Sequence, residues 1–328
     1  MFKTPILFLI FNRPDTTRQV FESIRTIKPL YLFIAADGPR NKEDKELCEQ
    51  TRKIILDNIN WNCEVKILFR EKNLGCKLAV SSAIDWFFEN VEQGIILEDD
   101  CLPNLTFFNF CEELLDKYKN DNRIWHITGY NTLDIYENNA DYYFAKKMHC
   151  WGWASWKRAW KHYDVSMQDF PEFKKQNAIK NVFSDEKIQS YHMQTFENTF
   201  NNLIDTWDYQ WIYTILKNNA MCINPSKNLI SNIGFGSNAT FCKDISNNNN
   251  NTKRYKIEKI RHPEFIIFDE SAIQQINDKN LNSLEKIKYN NEPEISFFQY
   301  LKRYPFFFLR SKFWKEYVYK KYLINKII

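Results

Sequence analysis

The chain has 328 residues, of which 44% are hydrophobic and 26% are charged, so it can bury a large core and is not globally disordered. The formal net charge is +4, but residues 299–328 alone contain eight Lys and Arg against one acid, which leaves the rest slightly acidic. A basic field over the whole surface is therefore absent, and we expect no nucleic-acid partner.

The cysteines and the apolar runs indicate in which cellular compartment the protein is expected. The eight cysteines include no Cys-x-x-Cys pair, so free thiols in a reducing cytoplasm are predicted rather than zinc or disulfides. The first apolar run ends at Phe11 and is followed at once by Asn12-Arg13-Pro14, which is not a signal peptide. No apolar run reaches about 18 residues, so no membrane-spanning helix is expected.

The first hundred residues alternate between strand-like and helix-like patterns. Continuous apolar runs predict buried parallel strands, and apolar residues at helical spacing predict the helices between them. The strands are expected over residues 5–11, 30–36, 64–69 and 94–97, and the helices from residue 14 and over residues 42–58 and 77–90. This order predicts an α/β fold with a mostly parallel central sheet and helices on both faces.

After Cys101 the regular alternation of strand and helix patterns ends. Helices are predicted over residues 106–118, 185–203 and 208–218, and strands over 123–128 and 221–224, the latter expected to be the last. Between them lies an aromatic-rich region, residues 142–163, and an Asn-rich run at residues 247–251 marks a soft boundary.

Polar residues follow the predicted parallel strands at their carboxyl ends. They are Asn12-Arg13, Asp37-Gly38, the segment 70–73, and Glu98-Asp99-Asp100. Ligands bind beyond the carboxyl ends of strands in such sheets, so these four loops predict one shared binding site.

The Glu98-Asp99-Asp100 triplet is the most informative of these segments. Adjacent carboxylates repel one another near a sheet edge, and a divalent cation removes that cost. Oxygen ligands suit Mn²⁺ or Mg²⁺, which commonly complete their coordination with diphosphate oxygens. The alternative is a solvated acidic turn before Pro103.

Four motifs in order resemble the GT-A glycosyltransferases. They are Phe-Asn-Arg at 11–13, Ala-Asp-Gly-Pro at 36–39, Glu-Lys-Asn-Leu-Gly at 71–75 and Leu-Glu-Asp-Asp at 97–100. The resemblance covers residues 4–242 and is strongest to the branch with N-acetylglucosaminyltransferase I and bacterial polysaccharide transferases. It implies a GT-A, Rossmann-like catalytic domain over 1–246, with a nucleotide-binding half (1–101) and an acceptor or catalytic half (102–246). A linker and a mainly helical, basic and aromatic extension would occupy 247–328.

The resemblance also implies roles for single residues in binding the nucleotide-sugar donor. Asp100 would bind the metal, and Glu98 and Asp99 would contact the ribose or the sugar. Asp37 would bind the nucleotide base, flanked by Phe11, Asn12 and Arg13, and Asn73 and Lys77 would cover the nucleotide. For Asp37 the alternative is an Asp-Gly-Pro turn, and for Lys77 a solvated helix position.

The family's catalytic base lies near a Trp-Asp pattern, which here is Trp207-Asp208. An inverting transfer needs such a base to take the proton of the acceptor hydroxyl. Helix capping is the alternative for Asp208, and Asp205 is the alternative base.

Two further segments resemble the family's pocket lining. In Cys150-Trp-Gly-Trp153 the indoles of Trp151 and Trp153 would cover the sugar, although tryptophans at these positions could equally be core. The segment 232–240 would line the pocket with backbone, and Phe241 stands where relatives often have histidine.

The predicted function is transfer of a sugar from a nucleotide-sugar, with UDP favoured, to a glycan or lipid-linked acceptor in surface polysaccharide synthesis. The basic, aromatic tail from Tyr300 predicts peripheral attachment to an anionic inner membrane face; a packed helix is the main alternative and nucleic-acid binding the least favoured. The rival functions are a sugar nucleotidyltransferase and a non-catalytic carbohydrate-binding protein on a degenerate transferase fold.

Overall fold

A computed structural model of the protein describes residues 2–235 and 251–290, without the side chains of 282–290. The strands are β1 (Ile6–Ile10), β2 (Tyr31–Ala36), β3 (Glu64–Phe69), β4 (Gln93–Glu98), β5 (Cys101–Pro103), β6 (Ile124–Thr128), β7 (Tyr142–Ala145), β8 (Trp153–Trp156), β9 (Met221–Pro225) and β10 (Ile230–Asn232). The helices are α1 (Pro14–Ile27), α2 (Lys42–Leu56), α3 (Gly75–Asn90), α4 (Thr106–Lys117), α5 (Lys157–Trp160), α6 (Phe170–Lys175), α7 (Glu186–Phe200), α8 (Asp208–Lys217) and α9 (Glu270–Asn290), with a 3₁₀ turn at Ala178–Asn181.

The central sheet has eight strands in the order β3-β2-β1-β4-β8-β6-β9-β7. The pairs β3-β2, β2-β1, β1-β4 and β6-β9 are parallel, whereas β8 and β7 run antiparallel to their neighbours. Six of the eight strands therefore share one direction, and the predicted mostly parallel α/β fold is confirmed.

Helices cover both faces of this sheet, as the continuous apolar strand runs predicted. In β1, Phe8 packs with the core beneath α1 and α4, whereas Leu7 and Leu9 pack with the core beneath α3 and α8. Every residue of β1 is buried, because each face has its own helical layer.

The aromatic-rich region contains two strands that the sequence patterns did not reveal. β8 pairs antiparallel with both β4 and β6, and β7 pairs antiparallel with β9. Aromatic side chains are buried along both strands, so neither shows the polar alternation that announces a half-exposed strand. The strand β9, expected to be the last, is followed by β10, which pairs with β5 in a separate two-stranded sheet.

The chain divides into two compact units, Met1–Asp278 and Lys279–Ile328. In the first unit, residues after the Asn-rich run pack on the main fold: Ile257 joins the core, and Arg261 Nη2 lies 2.9 Å from Asp141 Oδ1. The proposed domain limits at 246 and 247 stay a prediction, and the basic tail lies outside the described residues.

Two compositional expectations can be checked over the described ranges. All seven cysteines there are free thiols. None of the helices in residues 2–235 and 251–290 combines the length and the apolar character needed to cross a bilayer.

Candidate functional site

The acidic triplet lies at the carboxyl end of β4, beside the carboxyl end of β1. Glu98 is the last residue of β4, and the chain then turns at Asp99 and Asp100 before β5 begins. The backbone N–H of Phe11, just after β1, donates to Asp99 Oδ2 over 3.1 Å. The structure thus brings together two of the four loops that sequence patterns assigned to one site.

Arg13 joins the two aspartates of the triplet. Its Nη2 lies 2.9 Å from Asp99 Oδ1, and its Nη1 donates to Asp100 Oδ2 over 2.7 Å. The arginine side chain is 21% exposed, against 3% for Asp99 and 12% for Asp100. Burial lowers the pKa of Arg13, but the two carboxylates raise it more, so the guanidinium stays charged.

The segment after β10 closes over this ion-pair cluster. The N–H of Ile233 donates to the Asp100 carbonyl over 2.9 Å. A methyl group at Gly234 would lie 2.2 Å from Asp100 Oδ2 and 2.7 Å from Arg13 Nη1, so only glycine permits this approach. Gly234 belongs to the predicted pocket-lining segment 232–240, whose residues 236–240, like Phe241, lie outside the described ranges.

The carboxylates of the triplet are not equivalent. Burial and the neighbouring Asp100 raise the pKa of Glu98 well above its usual value. Burial also raises the pKa of Asp99, to about 6, although Arg13 opposes the rise. Arg13 thus offsets part of the negative charge of the triplet, while burial disfavours the ionised form of Glu98.

Asp208, the predicted base, joins the same cluster from the start of α8. Its carboxylate is close enough to raise the pKa of Glu98. Asp208 Oδ1 accepts hydrogen bonds from the Thr206 hydroxyl and from the Tyr209 N–H, the latter over 3.0 Å. Burial raises the pKa of Asp208, and the Thr206 hydrogen bond opposes the rise. Asp208 is the first residue of α8, after the N-cap position Trp207, so its bond with the Tyr209 N–H also stabilises the start of the helix.

Thiols surround the carboxylates, which the sequence patterns did not indicate. Cys101 Sγ lies 3.4 Å from Asp100 Oδ1, and Cys150 Sγ lies 4.0 Å from Asp208 Oδ2. Burial and the acids raise the pKa of both thiols well above the usual value, so they stay protonated. They are weak hydrogen-bond donors here rather than nucleophiles.

Asp37 follows β2 as predicted, but its carboxylate is used within the fold. Oδ1 accepts from the N–H groups of Gly38 (2.8 Å) and Leu74 (3.0 Å), and Oδ2 accepts from Asn73 Nδ2 (2.8 Å). Burial raises the pKa of Asp37. Asp37 therefore ties the loop before α3 to the end of β2, and Asn73 serves as its partner.

Replacing Asp37 by asparagine is expected to lower the free energy of unfolding by about 1–3 kcal/mol. The amide NH₂ of asparagine would face groups that themselves donate to the Asp37 carboxylate, and the loop would lose one acceptor oxygen. Urea denaturation of Asp37→Asn measures the loss, with the exposed Asp57→Asn as control. Equal stabilities of the two variants would contradict a structural role for Asp37.

The remaining residues predicted to contact the nucleotide interact with side chains of neighbouring segments. Asn12 Nδ2 donates to Asp44 Oδ1 over 2.6 Å, and the Arg40 guanidinium lies 5.2 Å from the centre of the Phe11 ring. Lys77 Nζ donates to Asn202 Oδ1 over 2.8 Å, linking α3 to the chain after α7. Lys77 is therefore neither free in solvent nor joined to the triplet.

The two tryptophans that were predicted to cover the sugar lie in different environments. Trp151 is partly buried, with its ring 4.7 Å from that of Tyr130 and 6.1 Å from that of Phe235. Trp153 has no exposed surface and stacks on His126 and Trp207 in the core. The ligand contact predicted for Trp153 is wrong, because its β8 position points into the core. Gly152, at φ +59°, makes the turn between them.

The donor atoms at the triplet suit a hard divalent cation in kind, since they are carboxylate oxygens with an excess of negative charge. They form no closed cage: in the part of the chain that the structure describes, no group of three or more His, Cys, Asp or Glu is arranged to hold a metal. Asp100 offers one carboxylate whose Oδ2 already binds Arg13. A metal held here would depend on Asp100 and on oxygens of a bound ligand.

No protein-family model matches the chain, and no curated protein matches it. Solved structures with partial likeness include a mannosyltransferase from Pyrobaculum calidifontis in complex with GDP-Man and Mn²⁺ (10% identity, 47% of this chain and 45% of that chain, TM-score 0.33). Mouse xyloside xylosyltransferase 1 (8%, 66% and 83%, TM-score 0.33) and apo UDP-glucose pyrophosphorylase (10%, 70% and 93%, TM-score 0.35) are others. The chain thus spans less than half of the mannosyltransferase. Likeness at this level carries no information on substrate or mechanism, which depend on the side chains.

Proposed function

We propose that the protein is a glycosyltransferase that moves a sugar from a nucleotide-sugar, expected to be a UDP-sugar, to a hydroxyl of a glycan or lipid-linked acceptor. The observation that carries the proposal is that Asp208, 4.0 Å from Cys150 Sγ, lies within electrostatic reach of Glu98, beside the two aspartates that Arg13 joins. The cluster combines a cation suited to a diphosphate with a half-buried carboxylate suited to proton removal.

The donor is expected to lie across the carboxyl ends of β1, β2 and β4. The Arg13 side chain is 21% exposed, and we expect it to bind diphosphate oxygens while Asp99 holds it in place. Mn²⁺ or Mg²⁺ on Asp100 would supply further positive charge against the leaving diphosphate. Trp151, on the partly open side of the aromatic loop, is the remaining candidate for covering the sugar.

Asp208 is the best base among the described groups of this cluster. Burial raises the pKa of the Cys150 thiol well above its usual range, so the thiol stays protonated and is not a nucleophile. Asp208 instead accepts hydrogen bonds that favour its ionised form. With one base and no activated nucleophile, a single displacement that inverts the anomeric centre is favoured.

A sugar nucleotidyltransferase is the rival enzyme, and the first loop argues against it. Gripping a triphosphate needs a glycine-rich loop with free N–H groups at a helix N-terminus. Here the Phe11 N–H is bound to Asp99, and Pro14, the first residue of α1, has no N–H. Release of pyrophosphate from UTP and a sugar 1-phosphate would nevertheless establish the rival.

The test of the proposal is Asp100→Ala. Calorimetry with UDP-, GDP-, CMP- and TDP-sugars in the presence of Mn²⁺ identifies the donor for the unaltered protein. For that donor, we expect Asp100→Ala to lower the rate of transfer or donor hydrolysis by about 10²- to 10³-fold, because a charge aligned with the leaving diphosphate is lost. Asp116→Ala, an exposed acid paired with Lys119, is the control. Unchanged metal-dependent turnover in Asp100→Ala would sink the assignment.

The acceptor and the place of action stay predictions, and the tail on which membrane attachment depends lies outside the described residues. Membrane attachment through residues 299–328, action at the inner face of the cell membrane and a part in polysaccharide synthesis stay predictions. Vesicle binding by the full chain, with and without residues 299–328, measures the first of them.

A further inference from the structure

A shift in the pairing of β6 turns the His126 side chain into the core beneath α3 and α8. The register of β6 on β9 shifts between Ile124 and His126. Ile124 and Ile127 pack in the opposite core, whereas Trp125 and His126 both lie against the core beneath α3 and α8. Side chains of a regular strand alternate between faces, so the shift is what brings His126 to this side.

The His126 ring is fully buried, and both of its nitrogens have partners. Nδ1 accepts from the Trp211 indole N–H over 3.3 Å, and Nε2 lies 3.0 Å from the His149 carbonyl oxygen. An indole N–H can only donate and a carbonyl can only accept, so these partners place the proton on Nε2. Burial lowers the pKa of His126 to about 3, so the ring is neutral at pH 7 and keeps both hydrogen bonds.

Both partners of His126 lie next to Asp208 along the chain or in space. Trp211 follows Asp208 by one turn of α8. His149 directly precedes Cys150, whose Sγ lies 4.0 Å from Asp208 Oδ2. One buried side chain therefore links the helix that carries the carboxylate to the segment that carries its neighbouring thiol.

A stack of aromatic rings makes a third connection. The His126 ring lies 4.9 Å from that of Trp153, and the Trp153 ring lies 5.5 Å from that of Trp207. The planes are about parallel in both pairs, at 21° and 20°. Trp207 directly precedes Asp208, and all three rings are buried. Close packing leaves such rings little room to move independently.

We propose that His126 is a positioning residue, which holds Asp208 in place and keeps the Cys150 thiol against its carboxylate. The inference rests on the proposed function, in which Asp208 takes the proton of the acceptor hydroxyl. A base must lie within hydrogen-bond reach of that proton, and a displacement of about 1 Å can cost about 100-fold in rate. His126 itself is buried behind the base and acts through its partners.

The experiment compares His126→Phe, His126→Gln and Trp211→Phe with the unaltered chain. Phenylalanine keeps a ring in the stack without either hydrogen bond, and glutamine keeps a donor for the His149 carbonyl. Trp211→Phe removes the indole donor alone. Tyr213→Phe is the matched control, because it removes a hydrogen bond of a buried side chain on the same helix, the one to Asp169 Oδ1 over 2.9 Å.

Steady-state kinetics with the identified donor and acceptor measure kcat, the donor KM and their pH profiles. We expect His126→Phe to lower kcat about 10- to 100-fold and to change the donor KM by no more than about twofold, because the base is displaced and the donor site is not. Loss of the Cys150 thiol as a donor disfavours the ionised form of Asp208, so the acidic limb of kcat should move to higher pH. His126→Gln should recover part of kcat.

Tyr213→Phe should lower the melting temperature but leave kcat and the acidic limb unchanged. The inference is overturned if kcat of His126→Phe stays within about twofold of the unaltered chain, or if Tyr213→Phe lowers kcat as much. Should His126→Phe not fold, His126→Gln and Trp211→Phe decide by the same criteria.

A titration without substrate separates this inference from the proposed function. NMR follows the carboxyl carbon of Asp208, which is identified by its loss in Asp208→Asn. We expect its pKa to be higher in His126→Phe than in the unaltered chain and in Tyr213→Phe. If the unaltered chain transfers no sugar, the transferase function fails, and this titration alone decides whether His126 positions Asp208: equal pKa values in the three proteins would refute it.

Discussion

Asp208→Asn is expected to lower kcat for sugar transfer by about 10²- to 10⁴-fold, the usual contribution of a general base. Asparagine keeps the size of the side chain and can still accept from Thr206 and Tyr209, but it cannot take the acceptor proton. Donor affinity should change by no more than about twofold, because the loss concerns the transition state. Steady-state kinetics with the identified donor and acceptor separate the two effects.

The pH dependence provides a second readout for Asp208. Its pKa is raised by burial, and the base must be ionised to work, so activity should fall as pH decreases through the raised pKa. The acidic limb of the kcat profile should therefore lie above the range of an ordinary aspartate and be absent from the residual activity of Asp208→Asn.

Asp205→Asn is the control for the neighbouring acid. Asp205 accepts from the N–H groups of Cys76 and Lys77 at the start of α3, over 3.2 and 3.3 Å. We therefore expect it to affect stability more than kcat. If Asp205→Asn abolishes transfer and Asp208→Asn does not, the base has been assigned to the wrong residue.

Arg13→Met is expected to lower the free energy of unfolding by about 3–5 kcal/mol in metal-free buffer. The substitution removes the cation from two adjacent, nearly buried carboxylates, Asp99 and Asp100. Methionine cannot replace either interaction, and the two charges then repel each other. Urea denaturation in the presence of EDTA measures the loss.

Arg25→Met on the same helix is the control, since its pair with Glu22 is exposed and is worth no more than about 1 kcal/mol. Because Arg13→Met leaves Asp100 without its cation, Mn²⁺ should raise the melting temperature of that variant more than that of the unaltered chain. Equal stability losses for the two arginine variants would contradict the role of Arg13 as the counterion of the triplet.

The secondary structure of the first half could be predicted because its physical signal is local. β3 was predicted with its observed limits, and the helices α1 to α3 were expected where they occur. The strands β7 and β8 could not be predicted, because their identity depends on pairing with β9, β4 and β6, which are distant in sequence.

The candidate site likewise has features that the sequence could predict and features that it could not. Glu98 could be selected from its position at the end of a predicted strand, and Asp208 from the resemblance carried by Trp207-Asp208. The contacts of the side chains could not be predicted from these positions. Asp37 binds the loop before α3, and Trp153 is buried in the core.

The sequence by itself determined that polar loops follow buried parallel strands, because apolar periodicity and strand direction are properties of short segments. Only the tertiary structure decided that Arg13, and not a metal alone, offsets the charge of Asp99 and Asp100. It also decided that Asp208, more than a hundred residues away in the chain, is close enough to Glu98 to raise the pKa of that carboxyl group. The physical reason is that charge balance and desolvation depend on the neighbours that surround a side chain in space, and folding brings those neighbours from every part of the sequence.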